Sequence, residues 1–348
     1  MTIAHNTKQT LPNAKISYDL ETINILRLIR SENVGPKTFY SLIKLFGDAA
    51  TSIENIGDFS LRGGKSKPIK IFSKSDAEKE LELLKKNNAK LITYKSLEYS
   101  RLLFEIYDPP PVLSYKGNID LLNHHKCIAI VRARNASANG RSFAHKIAAE
   151  LAEERYVTVS GLARGIDSSV HQAATSKTIG VIAGGIDHIY PPENKKLFEN
   201  LAEEGLIIAE LPVGSTPLDK HFPQRNRIIS GLALATVVIE ASLKSDSLIT
   251  ARFALEQNRE IFAVPGFPLD PRYQGTNKLI RQGAHLVELV NDIVANLPQY
   301  EEFMKKDESL FKDFAELDAN FKPLNTIQVK EPSEKERTAV IELLSAYL

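Results

Sequence analysis

Residues 157–185, VTVSGLARGIDSSVHQAATSKTIGVIAGG, decide the fold. The run opens on a short apolar segment, VTVSG, and closes on another, TIGVIAGG. Between them Ile166, Val170 and Ala174 recur every four residues, the spacing of one helical stripe. Strand, helix and strand with glycine at the turns form the unit from which parallel sheets are built. Both strands are almost continuously apolar, as strands covered on two faces must be.

The same pattern continues on both sides. CIAIV (127–131), LIIAE (206–210), ATVVIEA (235–241) and IFAVPG (261–266) supply further strands, and Phe143, Ile147 and Leu151 mark a helix over 140–155. Twelve of the 18 glycines fall between Gly140 and Gly283, where tight strand-to-helix turns are needed. Six alternations predict an α/β, doubly wound, mostly parallel sheet domain over residues 96–298, with right-handed crossovers.

The flanks read differently. After a flexible tail over 1–19, residues 20–95 predict a small helical domain: ETINILRLIR and KTFYSLIKLFG surround a Val-Gly-Pro turn at 34–36. That turn has a helix-hairpin-helix (or SAM-like) flavour and either packs or grips phosphate through its amides. Residues 61–75, with two glycines and four lysines, read as an exposed loop, and DPPPVL (108–113) as an extended segment. A charged linker is expected over 299–332, then one amphipathic helix over 333–348 with Val340, Leu343 and Leu344 on its apolar side.

Composition sets bounds. The formal net charge of +1 gives no global sign of nucleic acid or membrane, so any basic surface is local. One cysteine, Cys127, leaves neither a disulfide framework nor a zinc cluster, as suits a reducing cytoplasm. No apolar run reaches the roughly 18 residues that span a bilayer. The reading is a cytoplasmic protein without a membrane, cofactor or metal requirement.

Ligands of open α/β sheets bind at the carboxyl ends of the strands. The loop after CIAIV, RARNASANG, lacks the dinucleotide glycine pattern but carries Arg132 and Arg134. The next loop, SGLARGID, offers Ser160, Gly161, Arg164 and Gly165 before a helix opening at Asp167; the third brings Gly184 and Gly185. The fourth contains DKHFPQRNRIISG (219–231), where Lys220, His221, Arg225 and Arg227 crowd together with no acid after Asp219. If the helix begins after Pro223, Arg225, Asn226 and Arg227 lie in its first turn, against the dipole at some tenths of a kcal/mol each. A bound phosphate reverses that penalty, and Phe222 offers a ring for a base. The alternative pairs the arginines with buried acids such as Glu210 or Glu240. His171 and His188 lack a nameable partner for acid–base work and read as structural.

SGLARGID, AGGIDHIYPPEN, FPQRNRIISGL, SLITARFALEQNREIFAVPG and GTNKLIRQGA, with DPPPVLSYKGN upstream, resemble in order and spacing the DNA processing protein A family (DprA, or Smf) over roughly 20–295. The resemblance implies an extended Rossmann-like domain without nucleotide or covalent chemistry. It implies binding of single-stranded DNA, help in loading the RecA recombinase during transformation or recombination, and a homodimer. The implied DNA contacts are Arg134, Ser160, Gly161, Gly165, Lys220, Phe222, Arg225, Asn226 and Arg227, with Arg132, Arg164, Gly184 and Gly185 as possible additions; Asp167 orients the loop.

Two departures stand out. Where family members carry glycine, this chain has Arg132, which is expected to weaken DNA binding, an expectation that Arg132→Gly tests by a gain in affinity. Many relatives continue into a winged-helix domain, of which 333–348 would be only the first helix. A rival reading from fold likeness is a nucleoside monophosphate phosphoribohydrolase, with Glu240 as acid and Gly184–Gly185 as the phosphate turn. Against it, the sequence after Glu240, ASLKSDSLITA, lacks a Gly-x-Gly-Thr turn.

Overall fold

A computed structural model describes residues 18–62, 67–131 and 136–298. Arg132, Arg134 and the predicted linker and C-terminal helix lie outside these residues.

The chain opens with helices α1 (Leu20–Arg30), α2 (Pro36–Phe46), α3 (Ala49–Arg62) and α4 (Lys74–Lys86). Each start follows local chemistry. Asp19 accepts the Thr22 amide at 2.7 Å, Pro36 opens α2 with its φ preset, and the Ser73 hydroxyl accepts the Asp76 amide at 3.0 Å. Strand β1 (Lys90–Thr93), the short helix α5 (Arg101–Phe104) and β2 (Val112–Gly117) follow. The alternating part then runs β3 (Cys127–Val131), α6 (Ala138–Glu153), β4 (Val157–Ser160), α7 (Ile166–Ala173), β5 (Thr178–Ile182), α8 (Lys195–Glu204), β6 (Leu206–Ala209), α9 (His221–Gly231), β7 (Ala235–Val238), α10 (Asp246–Glu256), β8 (Glu260–Ala263), α11 (Gln274–Arg281), β9 (His285–Leu286) and α12 (Val290–Val294).

One sheet holds all nine of these strands, in the order β1-β2-β6-β5-β4-β3-β7-β8-β9. The pairs from β6 to β9 are parallel; β1–β2 and β2–β6 are antiparallel. Every residue of β3, β4 and β5 is buried, which is the two-sided cover that their unbroken apolar sequence demands. Ile147, Leu151 and Val170 pack on one face of the central strands, while Leu103, Ile228, Ile229 and Ala251 pack on the other.

Two expectations are corrected. A boundary at 95/96 falls too late, because β1 is already an edge strand of the sheet, paired from Lys90↔Tyr115 to Thr93↔Val112. The small helical domain is present as expected, and its Leu26, Phe39 and Leu84 join Leu91, Val112, Ile207 and Ala209 in one apolar cluster. The stretch 61–75 is not simply an exposed loop, since α3 reaches Arg62 and Ile69 is buried, with the Glu32 amide donating to the Lys70 carbonyl at 3.0 Å. Among the described residues no helix is long and apolar enough to cross a membrane.

Candidate functional site

The carboxyl ends of β3 to β8 share one rim, and the strand order changes direction between β3 and β7. Ligands of such sheets bind beside this reversal. Two adjoining clefts open on the rim. One is bounded by Val131, Asp167 and Ser247, the other by Gly184, His188, Tyr190 and Pro217. Gly161, Phe222 and Arg225 form the wall between them.

Helix α9 decides the fate of the crowded cations. It starts at His221, not after Pro223, because the third residue of a helix has no intrahelical use for its amide and proline there loses nothing. Arg225, Asn226 and Arg227 therefore fall in the second turn, where they are 5%, 7% and 7% exposed. Arg225 Nη1 donates to the Gly161 carbonyl at 2.6 Å and to the Val181 carbonyl, and its Nε donates to Asn226 Oδ1 at 3.2 Å. Arg227 Nη2 donates to Glu210 Oε1 at 2.5 Å, and its Nε lies 3.3 Å from Asp108 Oδ2. Despite the burial that opposes its charge, these carboxylates hold the Arg227 pKa above the usual arginine value.

The expectation that these arginines stand in the first turn is thus corrected; Arg227 is the central cation of an internal ion-pair cluster, and Arg225, which lines both clefts, ties α9 to the ends of β4 and β5. Ser160 lies at the end of β4. It is fully buried, and its hydroxyl donates to the Ile130 carbonyl at 2.7 Å, bracing β4 against β3.

Below the wall lies a packed polar layer. A Cβ on Gly161 would stand 2.5 Å from Arg225 Nη1 and 2.7 Å from Asp167 Oδ2, so a side chain here must push one of these bonded groups aside. Asp167 Oδ2 accepts the Ala163 amide at 3.2 Å, orienting the loop as expected. Gly165, at φ 83° and ψ −120°, takes a backbone conformation nearly confined to glycine and so opens α7. Gly161→Ala is predicted to displace the Arg225 guanidinium and cost about 1–3 kcal/mol of stability by overpacking, measured by urea unfolding. Wild-type stability in that variant would show that the wall yields.

His171 extends the layer inward. Its Nδ1 lies 2.8 Å from Thr178 Oγ1, whose single proton goes to the Thr158 carbonyl at 3.1 Å, so Nδ1 carries the proton. Burial, aided by the Arg225 charge and opposed by Asp167, pushes its pKa down to about 4. The histidine is neutral and structural, in keeping with its sequence reading.

The rim carries what remains accessible. Lys220 is exposed at the N-cap of α9 and makes no salt bridge among the described residues. Phe222 is half-buried, its ring centroid 5.8 Å from that of Tyr190. Arg164 is exposed and paired with Glu193. Gly184 and Gly185 belong to a buried turn, with the Gly185 amide donating to the Ser215 carbonyl at 2.8 Å. Sequence reasoning passed over Tyr190; the available signal was an aromatic residue directly before the prolines of AGGIDHIYPPEN.

Glu240 lies at the reversal itself and is fully buried. Its carboxylate accepts the Ser137 amide at 3.0 Å, the Ser137 hydroxyl at 2.5 Å and the Tyr273 hydroxyl at 3.2 Å. The first-helix N-terminus, where a Rossmann phosphate would sit, is therefore capped by an internal anion. A glycosidic acid must touch its substrate, and this carboxylate is enclosed by its own partners. Among the described residues no group of three or more His, Cys, Asp or Glu side chains is placed to hold a metal ion.

Comparison with known proteins agrees with this architecture. Residues 90–298 match the family model for DNA recombination-mediator protein A, and residues 19–82 match a DprA-like N-terminal HHH domain. The DNA processing protein DprA of Bacillus subtilis is 46% identical over 211 residues, covering 60% of this chain and 71% of that protein. Protein Smf of a Synechocystis species is 41% identical over 226 residues, covering 62% and 56% respectively. The X-ray structure of DNA processing protein A from Streptococcus pneumoniae superposes with a TM-score of 0.66 at 33% identity, over 80% of this chain and 97% of that one. A structure of the Helicobacter pylori DNA processing protein A, concerned with its single-stranded DNA binding mode, gives a TM-score of 0.55 at 27% identity, over 63% and 98%.

Proposed function

The chain belongs to the DNA recombination-mediator protein A family, and on that premise we propose that it binds single-stranded DNA along the strand-end rim, as a cytoplasmic homodimer that helps to load the RecA recombinase. The observation that carries this reading is the pairing, at the start of α9, of an exposed cation, Lys220, with a half-buried aromatic ring, Phe222, above a wall fixed by Arg225. The cation neutralises a phosphate while the ring takes an unpaired base. Arg225 and Asn226 act from below by holding that wall, and Gly161 and Gly165 by shaping it. Arg164, with its partner Glu193, and Gly184 border the track. Arg134 is proposed as a second phosphate contact on the strength of the family motif. No step of the mechanism breaks a covalent bond.

The test is a salt-titrated binding assay with single-stranded and duplex oligonucleotides. Single strands are expected to win, because stacking needs an unpaired base, and base sequence is expected to matter little. Lys220→Ala should flatten the log–log salt slope by about 0.7, one phosphate's share on a single strand. Phe222→Ala should leave the slope alone and cost about 1–3 kcal/mol of affinity. Equal affinity for duplex and single strand would overturn the reading.

A further inference from the structure

Tyr190 is 52% exposed, beside a ring already placed in the DNA track. It sits in the loop between β5 and α8, which is anchored from within: Ile186 is buried and Asn194 Nδ2 donates to the Leu162 carbonyl at 2.8 Å. The ring lines the second cleft beside Phe222. An exposed aromatic on a pinned loop is a platform whose ordering on binding costs little.

The mutual geometry says what the platform takes. To sandwich one base, two rings must lie nearly parallel and about 7 Å apart, twice the ordinary van der Waals contact. Here the centroids are 5.8 Å apart and the planes meet at 58°. No base fits between them, so a base that meets Tyr190 stacks on its outer face.

We propose that Tyr190 stacks the nucleobase next to the one on Phe222, and that the strand turns sharply between the two bases. The pair forms a corner that selects a single strand flexible enough to bend there. This inference rests on the single-stranded DNA reading above.

The chain contains no tryptophan, so Tyr190→Trp places a single reporter at the proposed contact. Its fluorescence is expected to be quenched by an oligothymidylate and not by an abasic oligonucleotide of equal length. Tyr190→Ala should weaken oligothymidylate binding about 5- to 50-fold with an unchanged salt slope, and the conservative Tyr190→Phe, which keeps the ring, should restore it. Wild-type affinity in Tyr190→Ala, together with an unquenched tryptophan, overturns the proposal while leaving the DNA reading intact. A wild-type chain that fails to bind oligothymidylate overturns both.

Discussion

Arg227→Ala is expected to lower the free energy of unfolding by about 3 kcal/mol at neutral pH while leaving the salt slope of DNA binding unchanged. Removing one partner of a buried ion pair typically costs 3–5 kcal/mol, because the other partner is left charged without compensation. Here two carboxylates, on Glu210 and Asp108, would face each other without their shared cation. Both keep some access to water, at 22% and 30% side-chain exposure, which places the effect near the lower end of that range. Neutralising them in the same background, with Glu210→Gln and Asp108→Asn, should recover part of the loss. Urea unfolding measures the first effect and oligonucleotide titration the second. A normally stable Arg227→Ala protein with a flattened salt slope would return Arg227 to the DNA track.

Acid sensitivity centred on His171 is the second large effect. Its pKa is about 4 in the folded chain, against an ordinary value near 6.5. The unfolded chain therefore binds the proton first as pH falls. The contribution is fully present above about pH 6.5 and is lost on the way down to about pH 4, at a total of about 3 kcal/mol. Asp108 works the other way: burial raises its pKa despite Arg227, so its protonation favours the folded state as pH falls. The difference between wild type and His171→Asn isolates the histidine, since the amide can still donate to Thr178 Oγ1 but does not titrate. Stability of the variant should fall less steeply between pH 6.5 and 4. Parallel pH profiles would mean that the imidazole is hydrated in the native state.

Much of this was legible in the chain. The apolar runs at 127–131, 157–161 and 178–185 contain the central strands, the stripe Phe143–Ile147–Leu151 lies on α6, and Ile166 and Val170 lie on α7, which stops just before Ala174. Periodicity is a local property, and a strand covered on both faces has only one way to look in sequence. Gly161, Asp167 and Phe222 were likewise located at the rim before any coordinates, because strand ends in such sheets are where loops meet. The domain boundary was less legible: whether β1 closes a helical module or edges a sheet depends on its partner, β2, some twenty residues on.

The cations were decided by tertiary structure alone. Sequence placed Arg225 and Arg227 among other positive groups and named two endings for them, phosphate or internal acid. Which ending holds depends on Glu210 and Asp108, 17 and 119 positions away along the chain, and on the carbonyls of Gly161 and Val181, brought in by packing. The physical reason is range. Turn and strand preferences act over a few residues, whereas the energy of a charge is set by whatever the folded chain brings within about 4 Å of it in a medium poorer in water.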